Sequence, residues 1–494
     1  MRYVLIIIIF TAIPAACTNF TMSNDWRLNQ LAEELELRGK IGILNGYRPY
    51  TSDIMLQAVE SEPDAFWCKR TGKLCSPFTI ENNAFVLWTA GIWLRSRSDN
   101  KKNKDFGAMR FGIGGTYDKW SLIGTYRLDS GYYSDPDYYG MRWERVAGKS
   151  DQVYARWSGE RAFFQIGRDF YGSGLGMALS GEKPFERILA GVNFGEHLGF
   201  IWFIAQLDEF VEYGDFGYKN KVIYNRYMAG HRGQLKWKHF EIAFTELVIF
   251  GGEGRQIELY YLLPLYALHG EQLNHRWNDN TLWSLDMKCV FSPLRLKLEG
   301  ILDDFQVDDE LPGDREPAQW GFAAQADFAA LSEPMFVSPS IRYEMVSNRT
   351  FNQSCEINRY LFENKPLGAE HGNDYDKISL KTVFFGKFYG GSINCYYLRK
   401  GEGRIDDLWT EPWMDDPDWS EPFPSGVIEK RTGGEIKIWC DGLDWNFWNF
   451  SGQFALGAKA IYELVDNFEH KEGKKEDFWE LRFDFESRLW WIGF

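Results

Sequence analysis

Most of the chain after position 84 alternates apolar and polar residues with a period of two, which is the pattern of half-buried β-strands. The clearest examples are the stretches 109–117, 294–302 and 377–388. In the second of these, leucines alternate with Arg295, Lys297 and Glu299, so one face is apolar and the other charged. A membrane-spanning barrel and a soluble β-sandwich both fit this alternation, and the pattern alone does not choose between them.

The links between the predicted strands alternate strictly in length. Short links fall near 118–119, 158–160, 196–199, 238–239, 292–293, 331–334, 389–390 and 441–444, and long polar links at 98–105, 131–149, 170–187, 211–223, 251–280, 306–319, 347–376, 400–432 and 466–476. Seventeen links join eighteen strands, an even number with both chain ends on the short-turn side. Short periplasmic turns and long external loops are typical of outer-membrane barrels. We therefore predict an all-β fold, an 18-stranded antiparallel outer-membrane β-barrel.

The end of the chain has the character of a closing barrel strand. Trp490, Ile492 and the terminal Phe494 share one face. Trp479 to Phe485 place their apolar residues on the opposite parity, so we expect a bulge or break near 486–488.

Residues 24–60 differ from the rest and carry helical rather than strand periodicity. Asp25 is placed to cap a first helix, and Gly39 to end it. A second short helix is expected to begin at Thr51 or Ser52. The predicted organisation is a signal peptide at 1–16, a small periplasmic helical segment at 17–83 and a transmembrane barrel at 84–494.

The first residues are typical of an export signal. Arg2 is followed by an apolar run to Ile13 and by two small residues, which favours cleavage near Ala16. Cys17 leaves lipidation of the mature N-terminus as an alternative. An oxidising compartment permits disulfides, and Cys68 and Cys75, which flank a basic turn, are the best candidates among seven cysteines.

The amino-acid composition argues against several classes of protein. The 494 residues carry a formal net charge of −15, which argues against a nucleic-acid partner. The 17% aromatic content provides too much buriable surface for a disordered chain. It also matches the aromatic girdles that flank the lipid-facing band of membrane barrels.

Short motifs in barrel order resemble the Wzi family of outer-membrane capsule-assembly proteins. They include the N-terminal helix that ends in Arg38-Gly39, the Arg48-Pro49 step, the Gly-rich stretch 165–185 and the Pro-Leu-Gly loop at 365–368. The resemblance implies an eighteen-stranded barrel with a periplasmic helical bundle, acting as a lectin for capsular or other surface polysaccharide. It implies partners in surface polysaccharide, outer-membrane lipid and the barrel-assembly machinery, and no cofactor or enzymatic activity.

The link 400–432 is the candidate binding site. It carries Trp409, Trp413 and Trp419 among acidic residues that include Asp415, Asp416 and Asp418. Trp rings stack on the apolar faces of sugars, and carboxylates accept hydrogen bonds from sugar hydroxyls. Two alternatives stay open: the Trp residues pin the link to the barrel rim, or the aspartates hold a structural Ca²⁺.

Other functions remain to be weighed against binding. A porin-like channel partly plugged by the helical segment is the main alternative, because charged strand faces suit a conducting lumen as well as internal ion pairs. His269 and His275 lie in one link, but no nucleophile motif accompanies them. We therefore predict no catalytic residue. We also predict no metal site, apart from the alternative of a structural Ca²⁺ in the link 400–432.

Overall fold

The computed structural model describes most of the chain from Phe20 to Gly493. The described residues are 20–22, 26–62, 64–68, 85–99, 103–133, 135, 138, 140, 142, 147–213, 221–275, 278–304, 316–416, 418–447 and 450–493. The predicted signal peptide, Cys17, Asp25, Cys75 and Phe494 lie outside this part of the chain.

Within the described residues, eighteen long strands form the barrel wall. They are β1 (Phe85–Asp99), β2 (Asn103–Tyr117), β3 (Trp120–Asp129), β4 (Ala147–Ser158), β5 (Ala162–Asp169), β6 (Phe185–Phe194), β7 (Leu198–Gln206), β8 (Lys221–Lys236), β9 (Phe240–Glu253), β10 (Asn280–Phe291), β11 (Leu294–Asp304), β12 (Gln319–Phe328), β13 (Phe336–Val346), β14 (Tyr375–Phe385), β15 (Tyr389–Lys400), β16 (Glu429–Phe447), β17 (Phe450–Asp466) and β18 (Lys475–Gly493). A short strand, Phe210–Tyr213, continues the wall beside β8.

The sheet closes on itself. Each strand pairs antiparallel with the next in sequence, and β18 pairs with β1 from Phe85 opposite Gly493 to Asp99 opposite Glu480. Closure removes the exposed sheet edges that a membrane does not tolerate. The predicted strand number and barrel topology are confirmed.

The distribution of apolar and charged side chains is the reverse of that in a soluble protein: apolar side chains point outward and charged side chains point inward. On β11, Leu296 and Leu298 point outward and are 45% and 43% exposed, whereas Arg295 and Glu299 point inward and are 4% and 0% exposed. A sandwich would bury its apolar faces, so this arrangement excludes that alternative. An apolar outer surface around a polar interior is the arrangement of outer-membrane barrels, and the protein is an outer-membrane β-barrel.

The links alternate as predicted, with three differences in position. The turn expected at 441–444 is absent there: a register shift between Asp441 and Leu443 absorbs Asp441-Gly442, β16 continues to Phe447, and β17 begins at Phe450. The turn expected at 389–390 lies at 386–388. The first external link is expected over 98–105, but β1 continues to Asp99 and β2 begins at Asn103. Asp-Gly and Tyr-Gly pairs indicate turns in sequence, yet a strand also accommodates such glycines at a bulge.

The irregularity expected in the last strand lies in its neighbour instead. β18 pairs without interruption with β17 through Ser487, Arg488 and Leu489. The register shift falls in β1, between Thr89 and Ile92. One extra residue in β1 therefore takes up the mismatch.

In the described part of the chain, two helices precede the barrel. They are α1 (Trp26–Leu37) and α2 (Ser52–Ser61). As predicted, Gly39 ends the first helix: its φ of +68° is a left-handed conformation that glycine adopts without strain. α2 begins at Ser52, as expected. None of the described helices is long and apolar enough to cross a membrane.

The helices pack at the short-turn end of the barrel. Leu28, Leu31 and Leu35 of α1 are fully buried in a cluster that includes Phe336 and Phe385, at the first residue of β13 and the last of β14. Short helices also occur in the long links: α3 (Leu259–Leu262), α4 (Leu268–His275) and α5 (Pro412–Asp415).

Candidate functional site: the filled lumen and the external face

Helix α1 is held in the lumen by buried ion pairs with the wall. The Glu36 carboxylate accepts hydrogen bonds from Lys288 Nζ at 2.8 Å, Arg295 Nη1 at 2.9 Å and the backbone N–H of Leu44 at 2.7 Å. The side chains of Glu36, Lys288 and Arg295 are almost fully buried. Arg295 also donates to Asp327 at 2.8 Å, so both its charge and its donors are satisfied. The inward charges of β10 and β11 therefore fix the helix in place.

Further contacts distribute this attachment around the wall. Arg27 forms an ion pair with Glu486 on β18 at 3.3 Å. Arg38 pairs with Glu34, whose carboxylate also accepts a hydrogen bond from Ser338 Oγ at 2.6 Å. The helix thus contacts strands on different sides of the lumen.

Neighbouring cations lower the pKa of two acidic residues of α1, Glu33 and Glu36, whereas burial raises the pKa of the third, Glu34. Burial alone would raise the pKa of Glu33, but the charges of Lys297, Arg48 and Arg295 hold it well below the usual value. The pKa of Glu36 is likewise lowered, because Lys288 and Arg295 outweigh the effect of burial. Both carboxylates are therefore ionised at neutral pH.

The external half of the lumen is filled by the link between β5 and β6, residues 170–184. Glu299 on β11 accepts three backbone hydrogen bonds from it, from the N–H groups of Leu175 at 2.5 Å, Met177 at 3.1 Å and Ala178 at 3.0 Å. Gly174 has a φ of +54°, and a Cβ there would lie 2.6 Å from the Glu299 carboxylate. This glycine permits the close approach of the link to the wall.

A second link, residues 347–374, packs against the first. Tyr360 donates its hydroxyl hydrogen to the Ala178 carbonyl at 2.8 Å, and the N–H of Ala369 donates to the Met177 carbonyl at 3.1 Å. Phe351 and Tyr360 are buried in an apolar cluster with residues of the wall. The two links form one packed body inside the barrel.

The filling from the two ends meets in the middle. The short strand Tyr47–Arg48 from the helical segment pairs antiparallel with Gly172–Ser173 of the external link. The N–H of Gly174 also donates to the Gly46 carbonyl at 2.7 Å. A cavity of about 430 Å³ lies between the two bodies, and its lining includes the charged side chains of Glu33, Arg295 and Lys381. The charged side chains on the inward strand faces therefore form chiefly internal ion pairs with the protein segments that fill the lumen.

The three predicted Trp residues come together on the external face around one cation. The Arg349 guanidinium lies 5.3 Å from the Trp409 ring, 4.7 Å from Trp413 and 5.7 Å from Trp419. Arg349 also donates to Glu421 at 2.8 Å, which ties the link 347–374 to the link 401–428. Trp413 is 2% exposed and serves packing, whereas Trp409 and Trp419 are half-buried.

The acidic residues of the same link are not gathered. Asp415 and Asp416 are exposed, and Asp416 accepts a hydrogen bond from the N–H of Asp418 at 3.0 Å. Across the part of the chain that the structure describes, no group of three or more acidic, His or Cys side chains could hold a metal. The Ca²⁺ alternative stays a prediction.

A second aromatic and cationic cluster was not predicted. Tyr132 and Tyr138, in the link after β3, stack with their ring centroids 5.1 Å apart. Lys149 Nζ lies 5.4 Å from the Tyr132 ring, and Arg142 lies 5.6 Å from the Tyr138 ring. Burial raises the pKa of Tyr132 to about 12, so its ring is neutral. The sequence signal was the concentration of Tyr between positions 132 and 139.

The remaining candidates are separated from these clusters. His269 Nδ1 lies 3.0 Å from Thr281 Oγ1, and its ring packs edge-on against Trp283. Cys68 Sγ lies 2.6 Å from the Glu62 carbonyl oxygen. Because Cys75 lies outside the described residues, the disulfide stays a prediction.

Comparison with known proteins gives a likeness in structure. The chain has the fold of Wzi. That protein is an outer-membrane carbohydrate-binding β-barrel involved in group 1 capsule assembly in Escherichia coli; the TM-score is 0.61 at 13% identity, and the match covers 96% of this chain and 99% of Wzi. The resemblance drawn from sequence motifs is thus confirmed at the level of the fold.

Weaker likenesses extend to other barrels. OccD3 of Pseudomonas aeruginosa matches with a TM-score of 0.47 at 10% identity over 84% of this chain and 92% of its own. OccAB4 of Acinetobacter baumannii matches with a TM-score of 0.44 at 7% identity, covering 83% and 98%. No protein-family model matches the sequence, and no curated protein is similar to it by sequence.

Proposed function

We propose that this protein binds and retains capsular or another surface polysaccharide at its external face and does not act as a diffusion channel. The observation that carries the proposal is the filling of the lumen by the chain's own segments. The helical segment and the external link 170–184 meet through paired strands, and the link 347–374 packs against them. A solute path would require these packed, hydrogen-bonded bodies to leave the barrel.

The external face offers two surfaces suited to sugars. Trp409 and Trp419 hold half-exposed rings in fixed positions around Arg349, which lowers the conformational cost of stacking on a sugar. The link that bears them is acidic and repels an anionic chain. Lys149 and Arg142, beside the stacked Tyr pair, provide compensating positive charge for carboxylate groups of a polysaccharide.

The fold likeness supports this assignment, because Wzi is itself a carbohydrate-binding barrel. The proposal assigns binding and no catalysis. His269 contacts Thr281 and Trp283 on the barrel wall, and neither of these residues belongs to the Trp cluster or the Tyr cluster. Replacing it with Ala is therefore expected to leave polysaccharide binding unchanged.

The test combines binding and conductance. Trp409→Ala and Trp419→Ala, confirmed as folded by heat-modifiable mobility, are expected to reduce binding on an array of acidic polysaccharides and retention at the cell surface. Trp237→Ala is the matched control, because Trp237 is 43% exposed but lies in a short periplasmic turn. The parent protein is expected to show almost no stepwise conductance in planar bilayers. Clear conductance without binding to any polysaccharide would overturn the proposal in favour of a channel.

A further inference from the structure

The external link between β9 and β10, residues 254–279, lies against the outside of the barrel. Ile204, Ala229 and Val248 occupy one row of outward positions on three adjacent strands, since Ala229 pairs with both of the others. All three are 0–3% exposed, although Phe244 on the same outward face of β9 is 49% exposed. Tyr261 of α3 and Leu268 of α4 complete the cluster that buries this row.

Polar contacts hold the link in this position. Glu246, an outward residue of β9, accepts hydrogen bonds from the backbone N–H groups of Leu268 and His269, both at 3.1 Å, and from Trp283 Nε1 at 3.3 Å. Tyr261 donates to Asp279 at 2.6 Å. The Glu246 carboxylate is therefore satisfied by hydrogen bonds, and it caps the N-terminus of α4.

The link reaches well below the rim. Glu246 is six residues from Phe240, the first residue of β9 after the periplasmic turn. Six residues span about 20 Å along a strand, or about 15 Å along the barrel axis at a tilt of about 40°. The apolar band of such barrels is about 25 Å tall. The start of α4 therefore lies at the depth of the membrane.

The side of the link that faces away from the wall is apolar. Residues 259–268 contain no charged side chain. Leu259, Leu263 and Leu265 are exposed, Leu265 to 91%, and Ile257 and Tyr266 are also exposed. Arg255 is paired with Glu258 and Asp279 at one end of this stretch. Below it, the exposed Phe244 and the rest of the outer wall continue the same apolar surface.

We infer that residues 257–268, here called the outer-wall segment, lie in the outer leaflet, with Leu259, Leu263 and Leu265 in contact with lipid acyl chains. Three observations favour lipid over a second copy of the chain. The segment lies at membrane depth, it is continuous with the lipid-facing wall, and it has no exposed charge within 259–268 to select a protein partner. The segment widens the lipid-facing perimeter beside β7, β8 and β9.

Site-specific photo-crosslinking tests this inference. The full-length protein carries p-benzoylphenylalanine at the position of Leu265 or, separately, Leu259, and is reconstituted in vesicles of phosphatidylcholine. Leu285, an outward residue of β10 that is 44% exposed, is the positive control. Leu408, a 79% exposed leucine of the external link 401–428, is the matched negative control. Heat-modifiable mobility confirms that each variant is folded, and mass spectrometry identifies the adducts.

We expect lipid adducts at 265 and 259 within about threefold of those at 285 and at least tenfold above those at 408. Adduct yields at both segment positions as low as at 408 would overturn the inference. Predominant cross-links to a second protein chain at 265 would also overturn it, because the surface would then be a protein interface. Neither result bears on polysaccharide binding, so the two proposals are tested separately.

Discussion

Removing the charge of Glu36 should loosen α1 from the lumen. In Glu36→Gln the side chain keeps its shape, but Lys288 and Arg295 lose the anion that they share in a buried site. Removing one partner of a buried ion pair costs about 3–5 kcal/mol. Arg295 retains Asp327, and Lys288 retains the Leu44 carbonyl at 2.7 Å, so we take the lower value of about 3 kcal/mol.

This cost is expected to appear as local opening. About 3 kcal/mol corresponds to a population of the undocked helix more than 100-fold larger, since each 1.4 kcal/mol is a factor of ten. Hydrogen exchange measured by mass spectrometry reports such openings peptide by peptide. Amides of residues 26–37 should exchange about 100-fold faster in Glu36→Gln, while those of β17 and β18 should keep their protection.

The matched control lies in the same helical segment. Glu62 pairs with Lys40 at 2.8 Å, but both side chains are about one-third exposed. Exposed pairs contribute about 0–1 kcal/mol, so Glu62→Gln should change exchange by no more than a few-fold. Equal exchange of α1 in the two variants would refute the argument that the buried ion pairs hold the helix in place.

Further expectations follow from the same contacts. The pKa values of Glu33 and Glu36 are lowered by folding, so their stabilising contribution is complete above about pH 5 and is lost as the pH falls through the folded values. The protection of α1 amides, relative to the intrinsic exchange rate at each pH, should therefore fall only below about pH 4. Deleting residues 20–61 should leave bilayer conductance low, because the external links still fill the lumen, and large channels in this variant would contradict that filling. Trp413→Ala should increase protease cleavage of the external link by removing a fully buried ring, at a local cost of about 3–5 kcal/mol, whereas Trp409→Ala should leave cleavage unchanged. Protease added to intact cells should cut the exposed stretch 406–411 and spare the turn at Ser292-Pro293. Cleavage of that turn would show that the barrel has the opposite orientation in the membrane.

The strands of the barrel wall could be predicted because the features that define them are local in sequence. Alternation along each strand and the lengths of successive links determine the strand number without knowledge of distant contacts. The error at Asp441-Gly442 has the same origin. A glycine that follows Asp is a turn signal over four residues, and only pairing with β17 shows that the strand continues.

The filling of the lumen was not predictable in this way. Glu299 receives N–H groups from residues more than 120 positions away, and nothing in the alternation of β11 distinguishes it from Lys297. The Trp cluster shows the same limit. The three rings were identified within one link, but the cation that organises them, Arg349, belongs to another.

Of the external links 170–184, 254–279, 347–374 and 401–428, the last is best placed to meet the proposed ligand, because the other three are packed against the barrel wall. Residues 170–184 and 347–374 bury their apolar side chains inside the barrel, and the link 254–279 packs against its outer wall. In 401–428, by contrast, Leu408 and the aspartates at 415 and 416 are exposed, while Trp413 and Arg349 secure the base. A rigid base under an exposed surface lowers the entropic cost of binding. The proposed polysaccharide binding is therefore expected at this part of the external face, together with the surface formed by Tyr132 and Tyr138.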